Sequence, residues 1–213
     1  MRPQPFWGDT DIAGQLLGFY EAEVLMEIES SRQYRVCLNI GAGDGYYCVG
    51  WLVAEPQSEI SRVSIAFETD RRGQTAIRDL ALLNGVEDRV TIYGKATLRS
   101  LMAVIDKQRH HLSELLIICD IEGAEYELFS EEILEALRGA KLIIEAHEFT
   151  SHMVGERKSL EKRAEKYFRV RTCTTGSRNP HQFDVLHQLT DTERWLVCAE
   201  GRDGPPGRWL VLE

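Results

Sequence analysis

Acidic and imidazole side chains follow two apolar runs of this sequence. One apolar run, residues 115–119, precedes Asp120 and Glu122, and a second precedes Glu145 and His147. Carboxylates that meet at one place are costly to bring together unless something positive lies among them. A cationic cofactor, a divalent metal ion or a basic substrate would supply that charge. These four residues are therefore our candidate catalytic residues.

The chemistry depends on how the two runs lie in the fold. If they form neighbouring strands, all four side chains converge on one pocket, because alternation along a strand puts Glu145 and His147 on the same side. Such a set could deprotonate a hydroxyl by general-base catalysis, or hold a divalent metal that lowers the hydroxyl pKa. The competing interpretation makes Asp120 a helix cap and His147 an ordinary structural residue. We expect Glu125 to face water.

Three glycines follow an earlier apolar run at GxGxG spacing. Gly41, Gly43 and Gly45 come after residues 36–40, and a segment that suits a helix starts at Tyr46. Glycines at such a turn let the backbone approach a ligand closely and adopt positive φ, and the free N–H groups of the next helix favour an anionic group. The dinucleotide fingerprint GxGxxG would need a glycine where Tyr46 stands. The alternative is a turn without a ligand.

Two further strand ends carry candidate ligand-binding residues. Glu68 follows a predicted strand at about 62–67, and a carboxylate there can accept hydrogen bonds from both ribose hydroxyls of an adenosine cofactor. Ala96 lies after the next predicted strand, where small residues leave room for an adenine ring. The competing interpretations are a solvated carboxylate and an ordinary loop.

Strand and helix patterns alternate along the chain, as a parallel sheet with helices on both faces requires. The predicted strands lie at about 35–40, 62–67, 89–93, 115–119, 141–146, 169–174 and 209–212. The predicted helices lie at about 46–54, 72–84, 97–109, 126–137 and 156–167, after an amphipathic helix or helix pair at 11–30. We expect one α/β domain over residues 1–213, with an N-terminal helical segment at 1–33 and the α/β core at 34–213.

Composition restricts the class of protein. The chain has 213 residues, 43% of them hydrophobic, and a formal net charge of −9, which argues against a nucleic-acid partner. None of the five cysteines forms a CxxC pair, so we expect buried thiols rather than disulfides or a zinc site. No apolar run reaches the ~20 residues of a membrane span, and the first residues lack the apolar core of a signal peptide. We therefore expect a cytoplasmic protein with no membrane partner.

Several of these segments together resemble the FkbM-type family of S-adenosylmethionine (SAM)-dependent methyltransferases of class I. The match runs from about residue 36 to 149 and includes the glycine turn, Phe67-Glu68, Leu82-Leu83-Asn84-Gly85-Val86 and Thr97-Leu98. Its most specific part is Cys119-Asp120-Ile121-Glu122-Gly123-Ala124-Glu125, and its last is Ile143-Ile144-Glu145-Ala146-His147. The sequence departs from the family at Asn39, Arg99 and Ser130, where the family usually has an acidic residue, Asp and Gly.

The resemblance implies a Rossmann-like fold with a seven-stranded, mostly parallel sheet, its last strand antiparallel, and an N-terminal helical segment over the cofactor cleft. It implies that the three glycines face the methionine part of SAM and that Glu68 faces the ribose. It places Asp120 and Glu122 beside the methyl-transfer centre and leaves the base, or divalent metal ligands, among Glu122, Glu145 and His147. The candidate cofactor-binding residues are Asn39, Gly41, Gly43, Gly45, Glu68, Ala96 and Asp120.

The expected activity is transfer of a methyl group from SAM to a hydroxyl oxygen of a small molecule, such as a sugar or natural product. Three alternatives stay open. One is an NAD-dependent oxidoreductase, which Tyr46 and the D-x-E-G-A-E segment disfavour. Another is a SAM-binding domain that lacks catalysis and acts through partners, and the third is a nucleic-acid methyltransferase, which the acidic balance disfavours. Acceptor specificity is expected from residue 150 onwards, where the long irregular region 176–207 would contact substrate.

Overall fold

A seven-stranded sheet organises the computed structural model, which describes residues 12–31, 33–54, 61–199 and 206–213. The strands are β1 (Val36–Ile40), β2 (Val63–Phe67), β3 (Val90–Tyr93), β4 (Leu115–Cys119), β5 (Lys141–Glu145), β6 (Val170–Thr174) and β7 (Arg208–Leu212). Their order is β3-β2-β1-β4-β5-β7-β6. Only β7 among them runs antiparallel to its neighbours, β5 and β6. The predicted seven-stranded, mostly parallel sheet is confirmed.

The strand register aligns the carboxyl ends of the central strands. Ile40, the last residue of β1, pairs with Phe67 of β2 and with Cys119 of β4. Cys119 in turn pairs with Ile144 of β5. The segments that follow these four strands therefore meet at one edge of the sheet, as the sequence predicted.

Helices cover both faces of the sheet. They are α1 (Ile12–Leu17), α2 (Ala22–Glu29), α3 (Tyr46–Val53), α4 (Arg71–Leu83), α5 (Leu98–Gln108), α6 (Glu125–Leu128), α7 (Glu131–Ala136), α8 (Ser151–Ala164) and α9 (Asp191–Val197). Short 3₁₀ segments lie at Glu87–Arg89, Arg109–Glu114, Pro180–Gln182 and Asp184–Gln188.

Two layers of apolar side chains join these helices to the sheet. On one face, Leu38 and Ile117 of the sheet belong to a cluster with α5, α6, α7 and α8. On the other face, Cys37 and Ile118 belong to a cluster with α2, α3 and α4. Because helices bury both faces, β1, β4 and β5 are buried at every position, which explains why β4 is entirely apolar and why apolar residues dominate β1 and β5.

The predicted helix at 126–137 is interrupted. Phe129 leaves helical geometry with φ −83° and ψ 61°, which ends α6. Ser130 then adopts an extended conformation, and its hydroxyl accepts a hydrogen bond from the Ile133 N–H at the start of α7. The residue that departs from the family pattern is thus an N-cap.

The helix predicted to start at about 156 begins five residues earlier, at Ser151. Thr150 caps it by accepting a hydrogen bond from the Met153 N–H. At the N-terminus, the structure contains the helix pair rather than one helix, because Gly18 and Glu21 both adopt positive φ between α1 and α2. Residues 1–11 of the predicted N-terminal segment lie outside the described residues.

None of the helices in the described ranges is both long enough and apolar enough to cross a lipid bilayer.

Candidate active site

A cavity of about 600 Å³ opens at the carboxyl edge of the sheet. It is lined by Gln15, Tyr20, Ile40, Gly41, Gly43, Phe67, Thr69, Lys95, Ala96, Asp120, Ile121, Glu122 and Ala124. The chain switches direction across the sheet between β1 and β4, and α/β sheets bind ligands at such a switch point. The volume lies in the range of sites for small ligands, roughly 300–1,000 Å³.

The glycine turn after β1 packs tightly against the end of β4. Gly41 has φ +76°, and a Cβ atom there would lie 1.7 Å from the carbonyl oxygen of Asp120. The N–H groups of Gly41 and Ala42 both donate to the carbonyl of Phe67 at the end of β2. Only glycine fits this position, and its absence of a side chain lets the turn lie between two strand ends.

Glu68 binds the backbone of this turn on the side away from the cavity. Its Oε2 accepts a hydrogen bond of 2.8 Å from the Gly43 N–H, and its Oε1 accepts one of 2.7 Å from the Asp70 N–H. The carboxylate is buried and does not line the cavity. In this arrangement Glu68 holds the glycine turn and the first turn of α4 together.

The candidate cofactor-binding residues fall into two groups. Gly41, Gly43, Ala96 and Asp120 line the cavity, whereas Asn39, Gly45 and Glu68 do not. Asn39 is fully buried in β1, where its Nδ2 donates to the Ile118 carbonyl at 3.3 Å. Gly45 is the N-cap residue of α3.

The four candidate catalytic residues come together, with three carboxyl groups around the imidazole of His147. His147 Nε2 lies 3.5 Å from Asp120 Oδ1, 3.4 Å from Glu122 Oε2 and 3.6 Å from Glu145 Oε2. The imidazole is only 9% exposed. The register of β4 with β5 thus brings together the residues that the sequence singled out at two separate places.

The expectation that Glu125 faces water is wrong. Its side chain is fully buried, and its Oε1 lies 3.2 Å from His147 Nδ1 and accepts a 2.9 Å hydrogen bond from the His147 N–H. Its Oε2 accepts the Gly123 N–H at 2.8 Å. The chain turns inward after Glu122, where two successive residues have positive φ, and this turn points the carboxylate at β5.

The carboxylates determine the protonation of the imidazole. Burial alone would lower the pKa of His147, but the hydrogen bond with Glu125 and the charges of Glu145 and Asp120 raise it to about 9. Burial and the nearby Glu145 carboxylate raise the pKa of Asp120 well above its ordinary value, while His147 acts in the opposite direction. At neutral pH, both ring nitrogens of His147 therefore carry a proton, and the imidazolium lies among several acidic groups.

Glu122 holds an uncommon backbone conformation beside the cavity. Its φ is +56°, a value that costs a residue with a side chain of order 1 kcal/mol or more. The side chain is 75% exposed, and its carboxylate faces His147 Nε2. This conformation places the exposed carboxylate of Glu122 between the cavity and the imidazole of His147.

Residue patterns missed several of the cavity residues. Gln15 and Tyr20 come from α1 and the turn after it, so the N-terminal helices reach the cavity, as the resemblance implied. No local pattern marks these two residues, because their place depends on how the helices dock. Thr69 and Lys95 could have been found, since each lies within two residues of a predicted strand end.

Comparison with solved structures identifies the fold. An O-methyltransferase from Streptomyces achromogenes involved in tomaymycin synthesis, in complex with SAM, has 16% sequence identity and a TM-score of 0.61, covering 95% of this chain and 86% of that chain. An O-methyltransferase from Bacillus cereus in complex with SAH has 18% identity and a TM-score of 0.59, covering 99% and 83%. A precorrin 8W decarboxylase from Methanobacterium thermoautotrophicum has 14% identity and a TM-score of 0.56, covering 98% and 93%.

The chain has the Rossmann-like fold of class I methyltransferases. No protein-family model matches the sequence, and no curated protein sequence matches it either. At these low identities the structural likeness concerns the fold, and the reaction has to be argued from the site.

Proposed function

We propose that this protein is a SAM-dependent methyltransferase that methylates a hydroxyl group of a small molecule. The observation that carries the proposal is the direct contact between two features. A ligand-sized cavity lies on the glycine turn, and two of its walls, Asp120 and Glu122, also belong to the cluster around His147. The structural neighbours from Streptomyces achromogenes and Bacillus cereus, which are O-methyltransferases, support the same assignment.

The cavity fits a cofactor that carries a positive sulfonium group. Asp120 Oδ1 is buried and makes no hydrogen bond within the described residues, so a negative group at the cavity wall is left to interact with a ligand. Glu122 adds a second carboxylate at the same wall. SAM would supply an electrophilic methyl group, which the acceptor oxygen takes as the carbon–sulfur bond breaks. The lining residues that would hold it include Gly41, Gly43 and Ala96.

The contribution of the chain itself would be mainly positioning. The glycine turn is fixed by the hydrogen bonds from Gly41 and Ala42 to Phe67 and by the contact of Gly43 with Glu68. Tyr20 covers the cavity from the N-terminal segment and packs edge-on against Tyr46, with ring centroids 5.7 Å apart. A site whose walls are fixed in this way holds the reacting atoms in line, and such positioning is a large share of catalysis in group transfer.

A hydroxyl acceptor must also lose its proton as the new oxygen–carbon bond forms. The proton would pass to a group of the His147 cluster. His147 is protonated at neutral pH, so in the free protein a carboxylate is the better acceptor, and the raised pKa of Asp120 makes its carboxylate a stronger base than usual. Glu122 and Glu145 are the other carboxylates near Nε2 of the imidazole.

We also propose a family, a class of acceptor and a cellular location for this protein. The D-x-E-G-A-E and E-x-H segments, which build the cluster, favour the FkbM-type family. The net charge of −9 disfavours a nucleic-acid acceptor. All five cysteines are free, and four of them are buried, which suits a reducing compartment and supports a cytoplasmic location.

Substitutions in the cluster test whether the protein is an enzyme. Labelled SAM would be incubated with the protein and a panel of sugar and phenolic hydroxyl compounds, and transfer of the methyl group would be counted. Glu145→Gln and His147→Gln should each lower turnover about 100-fold, the usual weight of acid–base catalysis, while SAM affinity is kept. The control is His152→Gln, because His152 is an exposed residue of α8 paired with Glu156.

The alternatives predict different results in this experiment. SAM binding without transfer to any member of the panel would favour a SAM-binding domain without catalysis. Equal turnover by wild type and both cluster variants would show that the cluster takes no part in the reaction.

A further inference from the structure

We propose that Asp120, Glu122 and His147 form a binding site for a divalent transition-metal ion. One potential ligand atom from each of the three side chains lies within 4.8 Å of the others. The site is at the edge of the cavity, because Asp120 and Glu122 also line it. A metal would replace mutual repulsion among the carboxylates by attraction to one central charge.

His147 is oriented so that its Nε2, once it has lost its proton, can bind a metal ion. A carboxylate only accepts hydrogen bonds, so Nδ1 of His147 must donate to the Glu125 Oε1 that lies 3.2 Å away. Histidine ligands of metals almost always donate their second ring nitrogen in this way, which fixes the tautomer and the ring plane. The side chain is more than nine-tenths buried, and its Nε2 points to the candidate site.

The contacts of Nε2 are too long for good hydrogen bonds. Its three carboxylate neighbours lie 3.4–3.6 Å away, whereas N–H···O hydrogen bonds span roughly 2.7–3.2 Å. Asp120 Oδ1, which faces the same space, is buried and has no hydrogen-bond partner in the described part of the chain. His147 Nε2 and Asp120 Oδ1 are therefore both directed at the candidate site, and no short hydrogen bond joins them.

The two separations from His147 Nε2 to the carboxylates suit a metal of tetrahedral preference. With metal–ligand distances near 2.1 Å, neighbouring ligand atoms of a tetrahedral site lie about 3.4 Å apart. The distances from Nε2 to Asp120 Oδ1 and Glu122 Oε2 are 3.5 Å and 3.4 Å. One imidazole and two carboxylates favour Zn²⁺, Co²⁺ or Mn²⁺ over Mg²⁺, which prefers oxygen ligands alone.

A metal at this place would serve the acceptor. It would lie between the cavity and His147, where it would bind the acceptor hydroxyl and lower its pKa. This role rests on the proposed function, whereas metal binding itself can be measured without SAM and without an acceptor.

Cobalt provides the direct test. The chelator-treated full chain would be titrated with Co²⁺, and visible absorption bands from a low-coordinate site should appear with one-to-one stoichiometry. His147→Gln should abolish the bands. Glu122→Gln, which removes a charge from an exposed side chain and so preserves the fold, should weaken binding at least tenfold. Glu125→Gln should also weaken it, by the roughly 10–100-fold typical of a residue that orients a ligand.

The matched control is His152→Gln, which removes an exposed histidine 3.3 Å from a glutamate. It should bind Co²⁺ like wild type. The inference would be overturned if wild type shows no bands at millimolar Co²⁺, or if His147→Gln and Glu122→Gln both bind as wild type does. SAM calorimetry on the same samples separates the two proposals: SAM binding without Co²⁺ binding contradicts the metal site alone, and Co²⁺ binding without SAM binding contradicts the proposed function.

Discussion

The imidazole of His147 is held by a residue that does not line the cavity. Glu125 accepts from both the backbone and the ring of His147, and its second oxygen accepts from Gly123. Each hydrogen bond to such a charged group contributes about 1.5–3 kcal/mol. The site thus contains residues that line the cavity and, behind them, the buried carboxylate of Glu125, which orients the imidazole of His147.

Gly41 should tolerate no side chain. In Gly41→Ala, the new Cβ atom meets the Asp120 carbonyl at 1.7 Å and the backbone must leave φ +76°, so the turn has to move. We expect loss of SAM binding in calorimetry and a loss of more than about 1 kcal/mol in the free energy of unfolding. Gly94→Ala is the control, because a Cβ atom there contacts nothing within 4 Å. Wild-type SAM affinity in Gly41→Ala would contradict this account of the turn.

Phe149 should contribute to acceptor binding. Its side chain is 64% exposed, and its ring lies 5.1 Å from that of His147, which offers an apolar surface beside the cluster. In Phe149→Ala we expect KM for the acceptor to rise about tenfold while the Kd for SAM stays unchanged. Trp195→Ala is the control, since Trp195 is an exposed aromatic residue of α9. A rise in the Kd for SAM with an unchanged KM would place Phe149 at the cofactor instead.

Sequence patterns could predict which residues gather at the site but not which of them are buried. Asp120, Glu122 and His147 follow a strand and Glu145 ends one, so their convergence follows from the sheet. Glu125 differs, because its burial depends on positive φ at Glu122, a residue type that rarely adopts it.

Among the elements, the break between α6 and α7 depends on one hydroxyl. Ser130→Ala removes the cap at the first turn of α7 and should lower the free energy of unfolding by about 1 kcal/mol in urea denaturation. Ser151→Ala is the matched control, since Ser151 is an exposed residue at the start of α8 and its hydroxyl makes no hydrogen bond within the described part of the chain. Equal stability of Ser130→Ala and wild type would show that packing, not the cap, starts α7.

Helix α2 is joined to the sheet edge by a charged cluster. Glu27 forms ion pairs with Arg171 of β6 and, at 3.3 Å, with the buried Lys141 of β5. The hydrogen bond from Arg171 lowers the pKa of Glu27, and the hydrogen bond from Lys141 lowers it further, although burial acts in the opposite direction.

Because the pKa of Glu27 is lowered in the folded state, the contribution of its ion pairs to the stability of the protein depends on pH. It is fully present above pH 4.5, the ordinary pKa of the group, and is lost as the pH falls through the lower folded value. Glu27→Gln should therefore cost about 1–3 kcal/mol at pH 7 and less under acid conditions, as measured by denaturation across pH. Glu87→Gln, an exposed control, should change neither value. A cost for Glu27→Gln that does not depend on pH would contradict the ionic origin.

Element boundaries were predictable where apolar runs are clear. The strand at 115–119 was predicted at its observed bounds, because burial on both faces leaves no polar position. The start of α8 was missed since the five residues from Ser151 to Gly155 carry no clear apolar period, and the Thr150 cap decides it.

At the scale of the molecule, the N-terminal helices and the region after β6 stabilise each other. Arg178 donates to both carboxylate oxygens of Glu23 in α2 and to the Phe19 carbonyl. Phe19 also packs in a small cluster with Leu186 and Cys198. Much of the region that we expected to contact substrate therefore packs against the segment that bears Gln15 and Tyr20. No sequence pattern connects positions so far apart, so this docking required the structure.

A mostly parallel sheet was predictable from alternating βα units and from the family resemblance, whereas the order of its strands comes from the structure. That order places the glycine turn and the acidic segments at neighbouring strand ends, and the site follows from that placement. The proposed activity depends on one property of this edge, namely that it binds SAM.

Calorimetric titration of the purified protein with SAM, S-adenosylhomocysteine and NAD tests that property most directly. The account predicts one-to-one binding of both sulfur compounds and no heat with NAD. If neither sulfur compound binds, the glycine turn is only a structural turn and the proposed function is wrong, and heat with NAD alone would favour an oxidoreductase.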